Sequence, residues 1–177
     1  ESGPVPANAR PPEPPLTPTS YQAQSLAQIA AALDARDHAA FLLQGVTGSG
    51  KTEVYIQSLA RCLAQGRKGV VLVPEISLTP QMVQRFEARF PGRVAVLHSR
   101  LSPAEHRRMW WGLSQGRYDV AIGSRSALFA PVRPLGLIVV DEEHEWTYKQ
   151  HDSEPRYHAR AVALRLAQQT GAVVVLG

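Results

Sequence analysis

Four residues in one short stretch have the types and spacing that phosphate chemistry requires. Gly45, Gly50, Lys51 and Thr52 complete the pattern G-x-x-x-x-G-K-[ST], with Val46, Thr47, Gly48 and Ser49 between the glycines. Glycines let the backbone turn so that successive N–H groups converge on one anion. A helix starting near Gly50 aims the positive end of its dipole at the same point. Lys51 brings a mobile ammonium to the outer phosphates, and Thr52 offers a hydroxyl to Mg²⁺. The apolar stretch Phe41-Leu42-Leu43 leads into the pattern and a helix-forming stretch follows it. This context favours a nucleotide cradle over an ordinary glycine-rich turn.

A second set of reactive groups lies far downstream. Leu137-Ile138-Val139-Val140 reads as an apolar strand that ends in Asp141-Glu142-Glu143-His144. Mg²⁺ is hard, takes oxygen ligands and keeps several waters, so Asp141 with Thr52 and phosphate oxygens would suffice to hold it. Glu142 can take a proton from, or orient, the water that attacks a γ-phosphate. Lys51, Asp141 and Glu142 are therefore the candidate catalytic set, and an Asp-Glu pair points to hydrolysis; a solvated acidic turn is the plainer alternative. His144 is either structural or a sensor of the γ-phosphate. Next come Trp146, Tyr148 and Lys149, then Arg156, Tyr157, His158 and Arg160. Aromatics interleaved with bases suit stacking on single-stranded nucleic acid, at about 1–3 kcal/mol per stacked base. A loop touching both nucleic acid and the acidic pair would couple them; an amphipathic loop packed on its own domain is the alternative.

Positioning these groups requires alternating strands and helices. Thr19 and Gln22 form a capping-box pattern ahead of a helix carrying Leu26, Ile29, Ala30 and Leu33 on one face. That helix would bring Tyr21 or Gln22 near a nucleotide base, or simply pack. Gly69-Val70-Val71-Leu72-Val73 is apolar on both faces, as buried parallel strands are. Thr79 and Pro80 mark a helix start, and its apolar residues are Met82, Val83, Phe86 and Phe90. Strands are expected at 94–98, 118–123 and 172–176, and a helix from about 157 to 169 with Ala161, Leu164 and Leu166 for packing. Ser102 to Glu105 is a second capping box, opening a helix with Trp110 and Trp111, of which one can pack while the other lies at the surface. Ser124-Arg125-Ser126 stands at the carboxyl end of a strand, where ligands gather in open α/β sheets; its hydroxyls and arginine suit a phosphodiester backbone. The fold class is α/β, a mostly parallel sheet with helices on both faces.

Hydrophobic content of 44% supports a packed core, and a formal charge of +4 weakly favours a polyanionic partner. The single cysteine, Cys62, excludes an internal disulfide and a cysteine-cluster metal site; it reads as a buried inert thiol. No apolar run is long enough to span a bilayer and no signal peptide heads the sequence, so a cytoplasmic setting without membrane association is expected. Residues 1–18 hold Pro4, Pro6, Pro11, Pro12, Pro14, Pro15 and Pro18 and read as an extended, disordered linker. The chain opens on Glu1 and ends at Gly177 just after an apolar strand, so both ends are expected to be cuts within a longer protein.

Five stretches together resemble the PriA family of replication-restart helicases, within superfamily 2. They are Gly-Val-Thr-Gly-Ser-Gly-Lys-Thr-Glu-Val-Tyr (45–55), Val-Pro-Glu-Ile-Ser-Leu-Thr-Pro-Gln (73–81), Leu-His-Ser-Arg-Leu-Ser (97–102), Gly-Ser-Arg-Ser-Ala-Leu-Phe-Ala-Pro (123–131) and Asp-Glu-Glu-His (141–144). The resemblance runs from about Leu16 to Gly177. It implies a RecA-like P-loop NTPase lobe, the first motor lobe of an ATP-dependent 3′-to-5′ DNA helicase, over residues 19–177. It implies ATP and Mg²⁺ at Lys51 and Thr52, and hydrolysis driven by Asp141 and Glu142. Pro74, Glu75, Ser124 and Arg125 fall in motifs that contact DNA, and 145–160 in an aromatic-rich loop that links DNA to ATP turnover. Expected partners are single-stranded and forked DNA, primosome proteins and single-strand-binding proteins; a monomer is expected. The resemblance places zinc-binding cysteines, upstream DNA-binding domains and a second lobe with its arginine finger outside this sequence. The fragment is therefore expected to bind ATP–Mg²⁺ weakly, hydrolyse it very slowly and unwind nothing. There are departures from the family. Pro155 replaces a large residue, Ser124 stands where threonine is common, and Pro18-Thr19-Ser20 replaces Pro-Glu-Gln, so no base-reading glutamine is assigned. Another nucleic-acid-dependent superfamily 2 ATPase, or a non-catalytic ATP- or DNA-binding scaffold, are the rival readings.

Overall fold

The computed structural model describes residues 11–46, 48–149 and 156–177. Thr47 of the cradle, residues 1–10 of the proline-rich stretch and residues 150–155, with Pro155, lie outside the described residues. Six parallel strands form one sheet in the order β1-β6-β5-β2-β4-β3. They are β1 (Ala39–Leu42), β2 (Lys68–Leu72), β3 (Val94–Leu97), β4 (Val120–Gly123), β5 (Leu135–Val140) and β6 (Val173–Leu176). The helices are α1 (Ser20–Ala35), α2 (Lys51–Ala64), α3 (Pro80–Arg89), α4 (Pro103–Ser114) and α5 (Ala159–Thr170).

The apolar runs become strands because both faces are covered. Val71, Val73, Leu137, Val139, Val173 and Val175 face the layer of α1, α2 and α3, while Val70, Leu72, Ile138, Val140 and Val174 face the layer of α4 and α5. With both faces dry, polar alternation is absent from the central strands. β1 differs. It is an edge strand paired only with β6, and Leu42 is 58% exposed. The helix starts follow the local chemistry. Thr19 with Gln22, and Ser102 with Glu105, make complete capping boxes, and Thr79 accepts from the Met82 N–H with Pro80 at the first turn.

The packing face of α5 departs from expectation. Ala161 is exposed, while Ala159, Ala163 and Ala167, four residues apart, are fully buried. Small side chains at this spacing let the helix lie close to the sheet, and Leu164 and Leu166 pack partly at its sides. Trp110 is half-buried and stacks on His106 at 5.7 Å, whereas Trp111 is 61% exposed. Cys62 is buried, and burial pushes its thiol up to about 12. At the amino end of the sheet, buried Asp119 pairs with Arg93 at 2.7 Å and Lys68 at 3.2 Å. Residues 11–19 have no regular structure, yet the Glu13 N–H donates to the Ala88 carbonyl and the Leu16 N–H to the Glu53 carboxylate.

Candidate functional site

The cradle is built by the turn from β1 into α2. Gly48 (φ 82°) and Gly50 (φ 84°) take left-handed conformations that a side chain would oppose. Gly50 caps α2 without a side-chain hydrogen bond, unlike Thr19, Thr79 and Ser102 at the starts of α1, α3 and α4. The first N–H groups of α2 therefore have no capping side chain competing for them. Gly45, Val46, Gly48 and Ser49 are exposed, and Lys51 and Thr52 are half-buried behind them. Gln22 steadies the loop: its Nε2 donates to the Ser49 and Gly50 carbonyls at 3.2 and 3.4 Å while its Oε1 accepts from the Thr19 N–H. Tyr21, on the same first turn of α1, is 83% exposed. Glu53 is held by Arg89 at 3.0 Å and by Gln57 at 2.7 Å. Burial pushes the Glu53 carboxyl up, but the Gln57 and Arg89 bonds and the Arg89 charge outweigh it and hold it below the ordinary range.

Strand register brings the acidic set to the same rim. Leu42 of β1 pairs with Leu176 of β6, which pairs with Val140 of β5. The two strand ends are thus level and two strand spacings apart, about 10 Å. Asp141 follows Val140 directly, and its Oδ1 accepts from the Tyr55 hydroxyl at 2.9 Å. Tyr55 lies one helical turn beyond Lys51, so the phenol ties the acidic end of β5 to the helix that opens the cradle. Glu142 turns the chain off the strand in a left-handed conformation, φ 47°, that is costly for a long side chain. Glu143 is engaged by Arg160 at 2.6 Å, and His144 is exposed. Among the described residues no three His, Cys, Asp or Glu side chains gather into a cage that could hold a metal. A hydroxyl and a carboxylate, Thr52 and Asp141, are instead the sparse oxygen donor set that suits Mg²⁺ carried by phosphates.

Beside this rim, a cleft of about 850 Å³ opens over the carboxyl ends of β2, β3 and β4. Pro74, Glu75, Ser124, Arg125, Tyr148 and Tyr157 all line it, so six residues singled out in three separate stretches meet at one place. His144, Trp146 and Lys149 stand outside its walls and are exposed. Much of the cleft is internally braced. Ser99 donates to the Glu75 carboxylate, Arg125 donates to the Thr147 carbonyl at 2.9 Å, and the Tyr157 ring meets Phe129 edge-on at 5.1 Å. Burial pushes the Tyr157 phenol up, partly offset by the charge and hydrogen bond of Arg125. Lys149 bridges to His158 as an isolated antiparallel pair, which closes the two ends of the aromatic-rich segment. Tyr148 joins cleft and rim: it is 1% exposed, lines the cleft, and donates to the Asp141 carbonyl at 2.6 Å.

Sequence reading gave no role to some of this site. His98 and Ser99, in the 97–102 stretch, and His106 and Arg107, outside any quoted stretch, also line the cleft. His106 and Trp110 have helical i, i+4 spacing, the one signal that could have placed them side by side. Tyr55 closes the 45–55 stretch, but its contact with Asp141 could not be read there, because that partner is 86 residues away. A second groove, beside α5 and the amino ends of β2 and β5, is lined in part by Leu128–Pro131 of the 123–131 stretch but by none of the candidate site residues.

Comparison with known proteins follows the same outline. The profile of the DEAD/DEAH box helicase family matches residues 19–176. Replication restart protein PriA of Bacillus subtilis (strain 168) is 50% identical over 163 residues, covering 92% of this chain and 20% of that protein. Replication restart protein PriA of Chlamydia pneumoniae is 52% identical over 136 residues, covering 77% and 18%. This chain thus spans about a fifth of the length of these curated relatives. Among solved structures, RecG bound to a three-way DNA junction aligns with a TM-score of 0.67 at 26% identity, covering 92% of this chain and 21% of RecG. The Pyrococcus furiosus Hef helicase domain aligns at 0.62 and 22% identity, covering 90% and 32%, a likeness of fold alone.

Proposed function

This chain belongs to the DEAD/DEAH box helicase family, and from that premise we propose that residues 19–177 are the ATP-hydrolysing first motor lobe of a replication-restart DNA helicase. The observation that carries the reading is the level register of β1 and β5, with Tyr55 fastening Asp141 to the helix behind Lys51 and Thr52. In this reading the backbone N–H groups around Gly48–Thr52 bind the phosphates of ATP, and Lys51 neutralises the outer ones. Thr52 and Asp141 hold Mg²⁺, which supplies charge neutralisation at the transferring phosphoryl group. Glu142 orients the attacking water and accepts its proton. Tyr21, open to solvent, is available to a base, while Gln22 keeps the loop in shape.

The neighbouring cleft takes single-stranded DNA, with Ser124 and the Pro74–Glu75 turn along the backbone and Tyr157 beside the bases. Arg125 contributes chiefly by anchoring the loop at Thr147. Trp146 and Lys149, on the rim, extend the contact surface, and His144, two residues beyond Glu142, senses the nucleotide state in this reading. The likeness to PriA supports action in replication restart at forked DNA, with 3′-to-5′ movement and primosome and single-strand-binding proteins as partners. An arginine finger from a second lobe is worth about 10³–10⁵ in rate in related phosphoryl-transfer enzymes. This chain alone is therefore expected to turn ATP over very slowly, and brisk DNA-stimulated hydrolysis by it would overturn that dependence.

The test of the whole reading is Glu142→Gln in the protein that carries both lobes. Turnover should fall by about 10²–10⁴-fold, the usual share of a general base, while nucleotide binding is retained. Unchanged turnover would leave the scaffold reading standing.

A further inference from the structure

Tyr55 belongs to no part of the phosphate-binding pattern, yet its hydroxyl touches the carboxylate proposed as the metal ligand. Its side chain is fully buried, among the largest in the core, and its hydroxyl ends 2.9 Å from Asp141 Oδ1. Three elements close around that hydroxyl. Tyr55 itself comes from α2, Asp141 from the end of β5, and Gly177 from the end of β6. A Cβ on Gly177 would stand 1.8 Å from the phenol oxygen, so only a glycine lets the chain pass there. The backbone of Gly177 is fixed in turn, donating to the Val140 carbonyl and accepting from the Glu143 N–H. The phenol is thus wedged in place before it meets the carboxylate.

We propose that Tyr55 is a positioning residue for the metal-binding carboxylate: its hydroxyl occupies one oxygen of Asp141 and leaves the other for Mg²⁺. The inference rests on the function proposed above, in which Asp141 is a metal ligand. Its physical basis is that a carboxylate is a rotor with two equivalent oxygens, and a donor fixed to one of them selects one orientation for the other. The phenol brings a single O–H, and its only route to the carboxylate is as donor to Oδ1, so one oxygen of Asp141 is taken by geometry. A tyrosine serving only to fill the core would not affect metal affinity.

The experiment is a Mg²⁺ titration of fluorescent mant-ATP binding, for the parent protein, Tyr55→Phe and Asp141→Asn, with EDTA as the metal-free reference. Partners outside the ligand shell are typically worth about 10–100-fold in metal affinity. Tyr55→Phe should therefore raise the Mg²⁺ concentration at half-saturation by about tenfold, leave affinity in EDTA unchanged, and recover at high Mg²⁺. If Tyr55→Phe lowers stability, the titration is run at a temperature where its circular dichroism matches the parent. An unchanged half-saturation in Tyr55→Phe, with Asp141→Asn impaired, overturns the role of Tyr55 and leaves the function intact. No impairment in Asp141→Asn overturns the metal site and the inference with it.

Discussion

Replacing Tyr148 by phenylalanine removes one oxygen from the point where the cleft and the acidic rim touch. The hydroxyl is buried and donates to the Asp141 carbonyl at 2.6 Å. Phenylalanine keeps the ring on the cleft wall but leaves that carbonyl unpaired, at a cost of about 1–3 kcal/mol. For a chain of 177 residues, each kcal/mol moves Tm by about 2–4 °C, so a fall of about 2–12 °C is expected. The functional consequence follows from what the bond connects. If the cleft takes DNA as proposed above, a strand pressing on the ring would carry its displacement through the hydroxyl to the backbone of Asp141. Coupling of about 1 kcal/mol through one such bond corresponds to roughly fivefold in a linked equilibrium. ATPase rates with and without single-stranded DNA, measured in the two-lobed protein, should show the stimulation ratio falling about fivefold. A lowered Tm with an unchanged stimulation ratio would refute the coupling and leave Tyr148 a structural strut. An unchanged Tm would refute the bond itself.

Two further outcomes concern the frame around the site. Asp119→Ala strips the shared partner from Lys68 and Arg93 at the amino end of β2, β3 and β4; because Arg93 keeps some solvent, the loss should lie near the lower end of the usual range, about 3 kcal/mol, read by urea unfolding. Glu53 has a folded carboxyl below its ordinary value of 4.5, so it stabilises above that pH and the contribution disappears as pH falls through the lower folded value. The Tm difference between the parent and Glu53→Gln should accordingly be full at pH 6 and shrink below about 4.5, and a difference that grows on acidification would contradict the assignment.

Much of the fold was legible because its signals are local. A capping box joins residues three apart, a phosphate loop is eight consecutive residues, and an apolar run declares a strand buried on both faces. Those signals placed the helix starts at Thr19, Thr79 and Ser102 and the acidic pair at a strand end. The errors were also local ones of phase. Ala161 was expected to pack, but the close approach to the sheet belongs to Ala159, Ala163 and Ala167, on another face of the same helix.

What tertiary structure alone decided is who meets whom. Nothing near Tyr55 announces Asp141, and nothing near Tyr148 indicates that its hydroxyl will end on a carbonyl rather than a base. Arg125 looks like a phosphate ligand in sequence, and the fold adds a bond from its Nη1 to the Thr147 carbonyl that no local signal announces. These outcomes depend on the strand order β1-β6-β5-β2-β4-β3, which sets β6 between the cradle and the acids and gathers the ends of β2, β3 and β4 into a cleft. That order is chosen by burial summed over the whole sheet, a quantity no single stretch contains. The sequence by itself thus determined which reactive groups this chain carries; the sheet determined which of them stand together.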